Sequence, residues 1–170
     1  MTSKNFGQTL FLRKRKALVK MKFKLICIGK LPVNSPISLI FNNYAKRIMN
    51  RLEVIEIFDK SPVISKRLEN EKKKIISLLR LSDVVIILDQ IGEKINSTNF
   101  SNFIKEKMIE GTKDITFVIG GANGLHKDLI SKQKVFSFGN LTWPHQLMRI
   151  LLIEQIYRAM SIINGHPYDK

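Results

Sequence analysis

Two apolar runs limit what this chain can fold into more than any other feature of its sequence. Residues 84–88 read VVIIL and residues 115–119 read ITFVI. Neither run shows the strict alternation of apolar and polar residues that is typical of a strand with one solvated face. Strands that are apolar throughout are covered on both faces, as in parallel sheets joined by crossover helices. The two runs therefore predict the central strands of a parallel sheet.

Shorter β-rich segments and helical segments alternate around these two runs. Further strands are predicted at residues 22–29, 52–58 and 135–138, and helices at residues 38–51, 65–80, 100–109, 125–132 and 144–163. This alternation is typical of an α/β domain with helices on both faces of the sheet. We therefore predict a single α/β domain over residues 21–170.

The last predicted helix is the longest and is apolar around most of its circumference. A helix of this kind is covered by protein on more than one side. Because the domain offers few other elements to cover it, we expect a homodimer contact along this helix. Glu154 and Arg158 stand four residues apart on it, which is the spacing of an intrahelical ion pair.

Residues 1–20 differ from the rest of the chain. They contain six basic residues and no acidic one, within a sequence of 170 residues whose formal net charge is +15. The segment lacks a regular apolar period and a secretory apolar core. Two interpretations remain open: an extension upstream of a true start at Met21, or a flexible basic arm. In either case we expect residues 1–20 to lie outside the folded domain.

The composition excludes several classes of protein. An apolar content of 44% excludes a mainly disordered basic protein. No segment approaches the roughly 18 consecutive apolar residues of a membrane span, so we expect a cytoplasmic protein without membrane contact. The single cysteine, Cys27, excludes an intrachain disulfide and suits a reducing compartment. A sequence pI near 10.1 predicts a polyanionic partner, with nucleic acid the leading candidate.

Three segments that follow predicted strands should meet at one edge of the sheet. Ligands of open parallel sheets bind outside the carboxyl ends of the strands. The segments are Leu88 with Asp89, residues 120–124 (GGANG) and residues 138–144 (FGNLTWP). Their glycines allow positive φ and close backbone approach to a ligand. The glycine segment is neither a dinucleotide fingerprint nor a phosphate loop, and a plain turn remains the alternative.

Side chains for metal or hydrolytic chemistry are not grouped along the chain. His126, His145 and His166 lie in three different segments without a metal-ligand spacing, so no metal site is expected. No Gly-x-Ser-x-Gly elbow is present. A turn is the ordinary role for the aspartates at strand boundaries, Asp59, Asp83 and Asp89.

Three stretches of the chain together carry the pattern of a known family. Residues 117–125 read FVIGGANGL and contain I-G-G-x-x-G. Residues 141–145 read LTWPH and are followed by Arg149, by EQ at 154–155, by YRA at 157–159 and by HPY at 166–168. Residues 21–29 begin with Met-Lys and end with Gly. In these segments residues 21–170 resemble the ribosomal RNA large subunit methyltransferase H family.

The resemblance implies a SPOUT-class fold, a parallel sheet with a deep trefoil knot near the C-terminus. Knots are absent from most folds, so spacing alone would not suggest one. Members of the family are homodimers that use S-adenosylmethionine to methylate N3 of a pseudouridine in 23S rRNA of the assembled ribosome. By position, the residues implied to bind the cofactor are Leu88, Gly120, Gly121, Gly139, Asn140, Leu141, Thr142, Trp143 and Pro144. The catalytic candidates near the base are His145, Arg158, His166 and Tyr168.

Each catalytic candidate has a second interpretation. His145 is the first choice for accepting the N3 proton, or it is a helix-terminal residue bonded to backbone. Tyr168 stacks on the base, or it packs the tail against a partner chain. Arg158 orients a phosphate, or it pairs with Glu154. Two other functions also remain open: a noncatalytic ribosome-binding assembly factor with the same fold, and a small-molecule methyltransferase.

Overall fold

The computed structural model describes residues 21–48, 51–81, 83–166 and 168. The basic segment at residues 1–20 lies outside the described residues. Strands and helices alternate along the described chain, as predicted. In order they are β1 (Lys22–Ile28), α1 (Pro36–Arg47), β2 (Leu52–Ile57), α2 (Ile64–Leu78), β3 (Val84–Lys94), α3 (Ser97–Ile109), β4 (Asp114–Ile119), α4 (Lys127–Ile130), β5 (Lys134–Ser137) and α5 (His145–Asn164).

The five strands form one parallel sheet in the order β2-β1-β4-β3-β5. The two apolar runs lie in the neighbouring inner strands β3 and β4, where Ile86 pairs with Phe117. On the other side of β4, Phe117 pairs with Leu25 of β1. All three side chains are at most 1% exposed. The predicted α/β fold with a central parallel sheet is confirmed.

Apolar side chains on the two faces of the sheet form two separate core clusters. One face packs against α1, α3 and α5, where Phe41, Phe100 and Leu152 meet Phe117 of the sheet. The rings of Phe100 and Phe117 have centroids 5.9 Å apart. The other face packs against α2 and α4, around buried residues that include Ile75. The layers of helices therefore cover both faces, as a parallel sheet requires.

Helix α5 is covered in part by its own chain. It packs between α1 and α3 and contacts β4. Its buried apolar residues are Leu152, Ile153, Ile156 and Ala159. Leu147, near the start of the helix, is 37% exposed. Neighbouring helices therefore account for part of the apolar circumference, and the homodimer contact expected along this helix stays a prediction.

Strand β3 continues six residues past its predicted end at Leu88. Leu88 and Glu93 both face Phe136 of β5, and the residues between them form a bulge. A Cβ on Gly92 would lie 2.7 Å from the carbonyl carbon of Val135. Gly92 therefore permits close approach of two strands, which is a common role of glycine at a bulge. The apolar run alone had indicated that the strand ends at Leu88.

Two helices, α1 and α3, begin a few residues before their predicted starts, where side chains cap them. The Ser35 hydroxyl accepts a hydrogen bond from the Ser38 amide at 3.1 Å and starts α1 at Pro36. The Asn96 side chain accepts one from the Asn99 amide at 2.8 Å and starts α3. Ser and Asn are strong N-cap residues, and Pro is favoured in the first turn.

The polar residue within the apolar run of β4 has a buried partner. Thr116 is fully buried and its hydroxyl donates to Asp83 Oδ2 at 3.0 Å. Lys24 Nζ lies 3.5 Å from the same oxygen. The Arg80 amide also donates to it, so Asp83 has both the predicted turn role and a buried ion pair. These contacts join β1, β3 and β4 at the end of the sheet where the strands begin.

The described helices include none with the length and apolarity of a membrane span.

Replacement of Phe117 by alanine tests the core. We expect Phe117→Ala to lower the free energy of unfolding by about 3–5 kcal/mol, because it leaves a cavity between the sheet and α3. Phe58→Ala is the control, since Phe58 is 62% exposed, and should change stability by no more than about 0.5 kcal/mol. Urea denaturation followed by circular dichroism measures both. Equal effects for the two variants would contradict this core assignment.

Candidate active site

The carboxyl ends of β3, β4 and β5 open onto a cavity of about 480 Å³. This volume lies in the range of roughly 300–1,000 Å³ that small-molecule sites occupy. The residues predicted to bind a cofactor that line it are Leu88, Gly120, Gly121, Leu141, Thr142, Trp143 and Pro144. Gly139 and Asn140 do not line it. We call this space the strand-end cavity.

Gly120 and Gly121 are glycines because of close contacts and not because of positive φ. A Cβ on Gly120 would lie 2.9 Å from the carbonyl carbon of Gly124, and one on Gly121 would lie 2.8 Å from Ile28 Cγ2. Positive φ occurs instead at Gly124 and Gly139, at 72° and 115°. The positive φ expected for glycines of these segments is therefore found at Gly124 and Gly139, while close backbone approach to a ligand stays a prediction.

Side-chain hydrogen bonds hold the wall formed by residues 138–144. The Ser137 hydroxyl donates to the Gly139 carbonyl at 2.7 Å, and the Trp143 indole N–H donates to the Phe138 carbonyl at 3.4 Å. The Thr142 hydroxyl donates to Gln90 Oε1 at 2.7 Å. The last contact ties this wall to the bulge of β3.

Sequence reasoning missed Gln90. Its neighbourhood was interpreted as a turn after β3, although the strand continues there. Asp89, beside it, accepts a hydrogen bond from the Ile91 amide at 3.1 Å. The turn role predicted for Asp89 is therefore present within the bulge.

The lining of the strand-end cavity suits a cofactor without phosphates. Its walls combine the aromatic rings of Phe138 and Trp143 with apolar side chains and the glycine backbone. Asp89, Gln90 and Thr142 add polar groups, and no lysine or arginine among the described residues lines it. Aromatic walls with a few polar groups fit an adenosyl group and an amino-acid chain. S-adenosylmethionine meets this description, whereas a dinucleotide would leave its phosphates without cationic partners.

His145 begins α5 at the wall of this cavity. A Cβ on Gly29 would lie 3.5 Å from His145 Nε2, so the imidazole packs against the end of β1. Burial, together with the charge of Arg149, lowers the pKa of His145 below its ordinary value. The side chain is therefore neutral near pH 7 and can accept a proton. In the described structure it makes no hydrogen bond to backbone, which was its second interpretation.

Arg149 ties the first turns of α5 to the ends of β1 and β2. Its side chain is 1% exposed. Nη1 donates to Glu56 Oε1 at 2.6 Å, and Nη2 donates to the carbonyls of Ile28 and Gly29 at 3.1 and 2.8 Å. Glu56 Oε1 also accepts from the Leu31 amide at 2.7 Å. Sequence reasoning placed Arg149 in the family signature without giving it a role.

The pattern did contain a signal for this role. Arg149 is a charged residue inside an apolar helix, one turn after His145. A charge in such a position is buried only when it has hydrogen-bonding partners. What the sequence could not supply was the identity of those partners, which lie on two strands.

Two of the other catalytic candidates lie at the opposite end of α5. His166 and Tyr168 line a second cavity of about 590 Å³. We call it the tail cavity. The Tyr168 hydroxyl lies 3.3 Å from both the Tyr44 hydroxyl and Glu154 Oε1. The hydrogen bond with Tyr44 is the largest of several effects that raise the pKa of Tyr168.

Arg158 lies beside this cavity, on the same helix. Its Nη2 pairs with Glu154 Oε1 at 2.9 Å, and its guanidinium lies 5.1 Å from the centroid of the Tyr168 ring. The ion pair that sequence spacing indicated is therefore present.

A single chain does not bring the four catalytic candidates together. Helix α5 has 20 residues and is about 30 Å long at 1.5 Å per residue. His145 stands at its first residue, and His166 and Tyr168 follow its last turn. The strand-end cavity and the tail cavity are therefore separate features of one protomer.

Other reactive groups lie away from both cavities. Burial raises the pKa of Cys27 to about 12, against the opposing charge of Arg149, so this thiol is not a nucleophile. His126 caps α4 by accepting from the Asp128 amide at 3.2 Å. Within the described ranges no three His, Cys, Asp or Glu residues are grouped to hold a metal ion.

Comparison with known proteins decides the family. A family model described as "Predicted SPOUT methyltransferase" matches residues 21–169. The chain is 42% identical over 160 residues to a ribosomal RNA large subunit methyltransferase H of Streptococcus uberis, covering 88% of this chain and all of the relative. The chain belongs to the ribosomal RNA large subunit methyltransferase H family of SPOUT methyltransferases. This confirms the family that the sequence motifs indicated.

Two further relatives carry the same name. The one from Enterococcus faecalis is 38% identical over 160 residues, and the one from Carboxydothermus hydrogenoformans is 37% identical over the same length. Both alignments cover 88% of this chain and all of the relative. The family match begins at Met21, directly before β1.

Removal of the Arg149 charge should affect both stability and His145. We expect Arg149→Met to lower the free energy of unfolding by about 2–3 kcal/mol, somewhat less than for a fully buried pair, because Glu56 keeps some contact with water. The pKa of His145 should rise toward its ordinary value, since the nearby positive charge is gone. NMR titration of the histidine ring and urea denaturation measure the two effects. Arg158→Met, on the same helix, should leave the His145 titration unchanged.

The lowered pKa of His145 predicts that the stability of the fold depends on pH. Because the pKa of folded His145 lies below that of the unfolded chain, the unfolded chain binds more protons there. The contribution of His145 to stability is therefore present above its ordinary pKa and is lost as pH falls below about 6.5. Urea denaturation at pH 7.5 and pH 5.5 should show a smaller loss for His145→Gln than for the natural sequence. An equal loss in both would exclude this role of His145.

Proposed function

We propose that this protein is a cytoplasmic homodimer that transfers a methyl group from S-adenosylmethionine to N3 of a pseudouridine in 23S rRNA of the assembled ribosome. One observation carries the proposal. In a chain of this family, the segments that contain Leu88, Gly121 and Trp143 follow three strands and line one cavity, which has no lysine or arginine among its described lining residues. The names of the relatives support a large-subunit ribosomal RNA as substrate.

The proposed cofactor would be held in the strand-end cavity. Phe138 and Trp143 offer ring faces to its adenine, and the backbone beside Gly120 and Gly121 offers hydrogen-bonding groups at close range. Asp89 is the one carboxylate among the described lining residues and suits a ribose hydroxyl or an ammonium group. When bound, S-adenosylmethionine supplies a methyl group on a positively charged sulfur.

The protein's own residues would position the base and receive a proton. Methyl transfer needs alignment of donor and acceptor, and positioning contributes about 7–11 kcal/mol in favourable cases. N3 of the base carries a proton that must leave. His145 lies at the cavity in its neutral form, so its imidazole would accept that proton. A positioned base of this kind accelerates reactions by about 10²–10⁴-fold.

The separation of the candidates supports the homodimer. The Tyr168 hydroxyl contacts Glu154, nine residues and about 14 Å of helix after His145, so the two act on one base only if the tail cavity of one protomer faces the strand-end cavity of another. A C2 interface would make this contact twice, because each surface meets its counterpart. Arg158 and His166 would then approach the base from the second protomer.

We also infer the trefoil knot of the family. The course of the chain supports it. After β4 the chain passes β3 to reach β5 on its far side, and residues 138–144 then return to the strand-end cavity before α5 begins.

A comparison of three substrates tests the proposed reaction. Radiolabelled methyl transfer should occur with 70S particles and be much weaker with free 23S rRNA or with nucleosides. Transfer to nucleosides alone would indicate a small-molecule methyltransferase. A folded protein that fails to bind S-adenosylmethionine in calorimetry would indicate a noncatalytic assembly factor. Either result would overturn the proposal.

A glycine substitution tests the cofactor cavity. Gly121→Val should abolish measurable S-adenosylmethionine binding, because its Cβ collides with Ile28 and forces the loop to move. Gly111→Ala is the control: its positive φ of 82° makes the alanine costly to the backbone, but nothing lies within 4 Å of the new Cβ and the residue does not line the cavity. It should bind cofactor as the natural sequence does. Calorimetry gives the affinities and sedimentation gives the oligomeric state, which should be the same in both variants.

A further inference from the structure

The tail cavity has features that the proposed reaction does not use. Two arginines line it, Arg47 at the end of α1 and Arg51 just before β2. Neither has a carboxylate within ion-pair distance among the described residues, in contrast to Arg149 and Arg158 of α5. No described residue that lines the cavity is acidic. Surface arginines without an acidic partner leave a local positive potential.

Arg47 is held in place by aromatic rings from two helices. Its guanidinium carbon lies 5.6 Å from the centroid of the Tyr44 ring and 5.5 Å from that of Tyr157. The two ring centroids are 6.0 Å apart. Stacking of this kind orients the planar guanidinium, so less side-chain freedom is lost when it binds a ligand. The position of Arg47 at the C-terminus of α1 explains why a cation is found there. It does not explain why the side chain also contacts Tyr157 of α5.

The nearby carboxylate does not cancel this charge. Glu154 is the acid next to the aromatic cluster, and it already pairs with Arg158 and accepts from Tyr168. Of the groups that line the cavity, Arg47 and Arg51 therefore remain as cations, beside the rings of Tyr157 and Tyr168. Arginine forks with aromatic rings are the usual combination for a single-stranded nucleic acid.

We propose that the tail cavity binds the backbone of an RNA strand, with Arg47 and Arg51 contacting its phosphates and the tyrosines contacting its bases. The site rests on the proposed function, because it supplies a docking surface for the same RNA substrate. It assigns a role to two arginines outside the motifs of the C-terminal signature. Phosphate contacts of this kind set affinity and register and carry no sequence information.

Titration with salt tests this site directly. The probe is a fluorescein-labelled single-stranded RNA of roughly 20 nucleotides, longer than one binding site, followed by anisotropy from about 50 to 200 mM KCl. We expect the Arg47→Ala/Arg51→Ala double variant to bind about tenfold more weakly at the lowest salt. The slope of log affinity against log salt should decrease by about 1.4, since each lost contact with a single strand contributes about 0.7.

Two matched variants separate charge from geometry. Arg80→Ala/Lys74→Ala removes the same net charge from exposed positions on and after α2, and should keep both the affinity and the salt slope nearly unchanged. Arg47→Lys/Arg51→Lys keeps the charge but loses the planar fork, so the slope should be retained while affinity falls. Thermal melts monitored by circular dichroism show whether the alanine variant folds. If it folds poorly, the lysine variant tests the site in its place.

The outcomes distinguish this inference from the proposed function. Cofactor binding by the double alanine variant should match that of the natural sequence in calorimetry, because the strand-end cavity is untouched. Equal RNA affinity and salt slope for the alanine variant and the Arg80/Lys74 control would overturn the RNA site. So would a change of oligomeric state in sedimentation without a change in RNA affinity, since the arginines would then hold a second copy. Failure of the natural sequence to bind S-adenosylmethionine would instead overturn the proposed function.

Discussion

The buried guanidinium of Arg149 is the interaction on which the rest of the structure depends. It donates to two carbonyls at the end of β1 and to Glu56 of β2, and the same carboxylate accepts from the amide of Leu31. Removal of any one partner leaves polar groups without a bond in a low dielectric, which is costly. The strand ends, the connection to α1 and the start of α5 therefore form together. His145 occupies its position beside Gly29 as a consequence.

Helix α5 extends from one candidate site to the other, and the two sites differ in their charges. The strand-end cavity has one carboxylate and no cation among its described lining residues, and it is partly aromatic. The tail cavity has two arginines and no carboxylate among the described residues that line it. A phosphate-free cofactor suits the first, and a polyanion suits the second. Two of the basic residues behind the formal net charge of +15 thus lie where the proposed RNA would bind.

Prediction from sequence succeeded where a single physical cause dominates. The runs at residues 84–88 and 115–119 are apolar because they are buried on both faces, and they form the inner strands. Prediction failed where several causes compete. Strand β3 was predicted to end at Leu88, yet it continues through a bulge that Gly92 allows to pass close to β5. At Gly121 the structure adds a second requirement, the absence of a Cβ beside Ile28.

The class of fold, the family and the three segments that line the strand-end cavity can be predicted without coordinates. Each of them follows from local patterns, because burial periodicity and glycine motifs depend on residues that are neighbours in the chain. The partners of Arg149 and the contact of Tyr168 with Glu154, away from His145, are visible only in the folded chain. The same is true of the stacking of Arg47 on Tyr157. These contacts join residues far apart in the chain, and their energies depend on distances that no sequence spacing encodes.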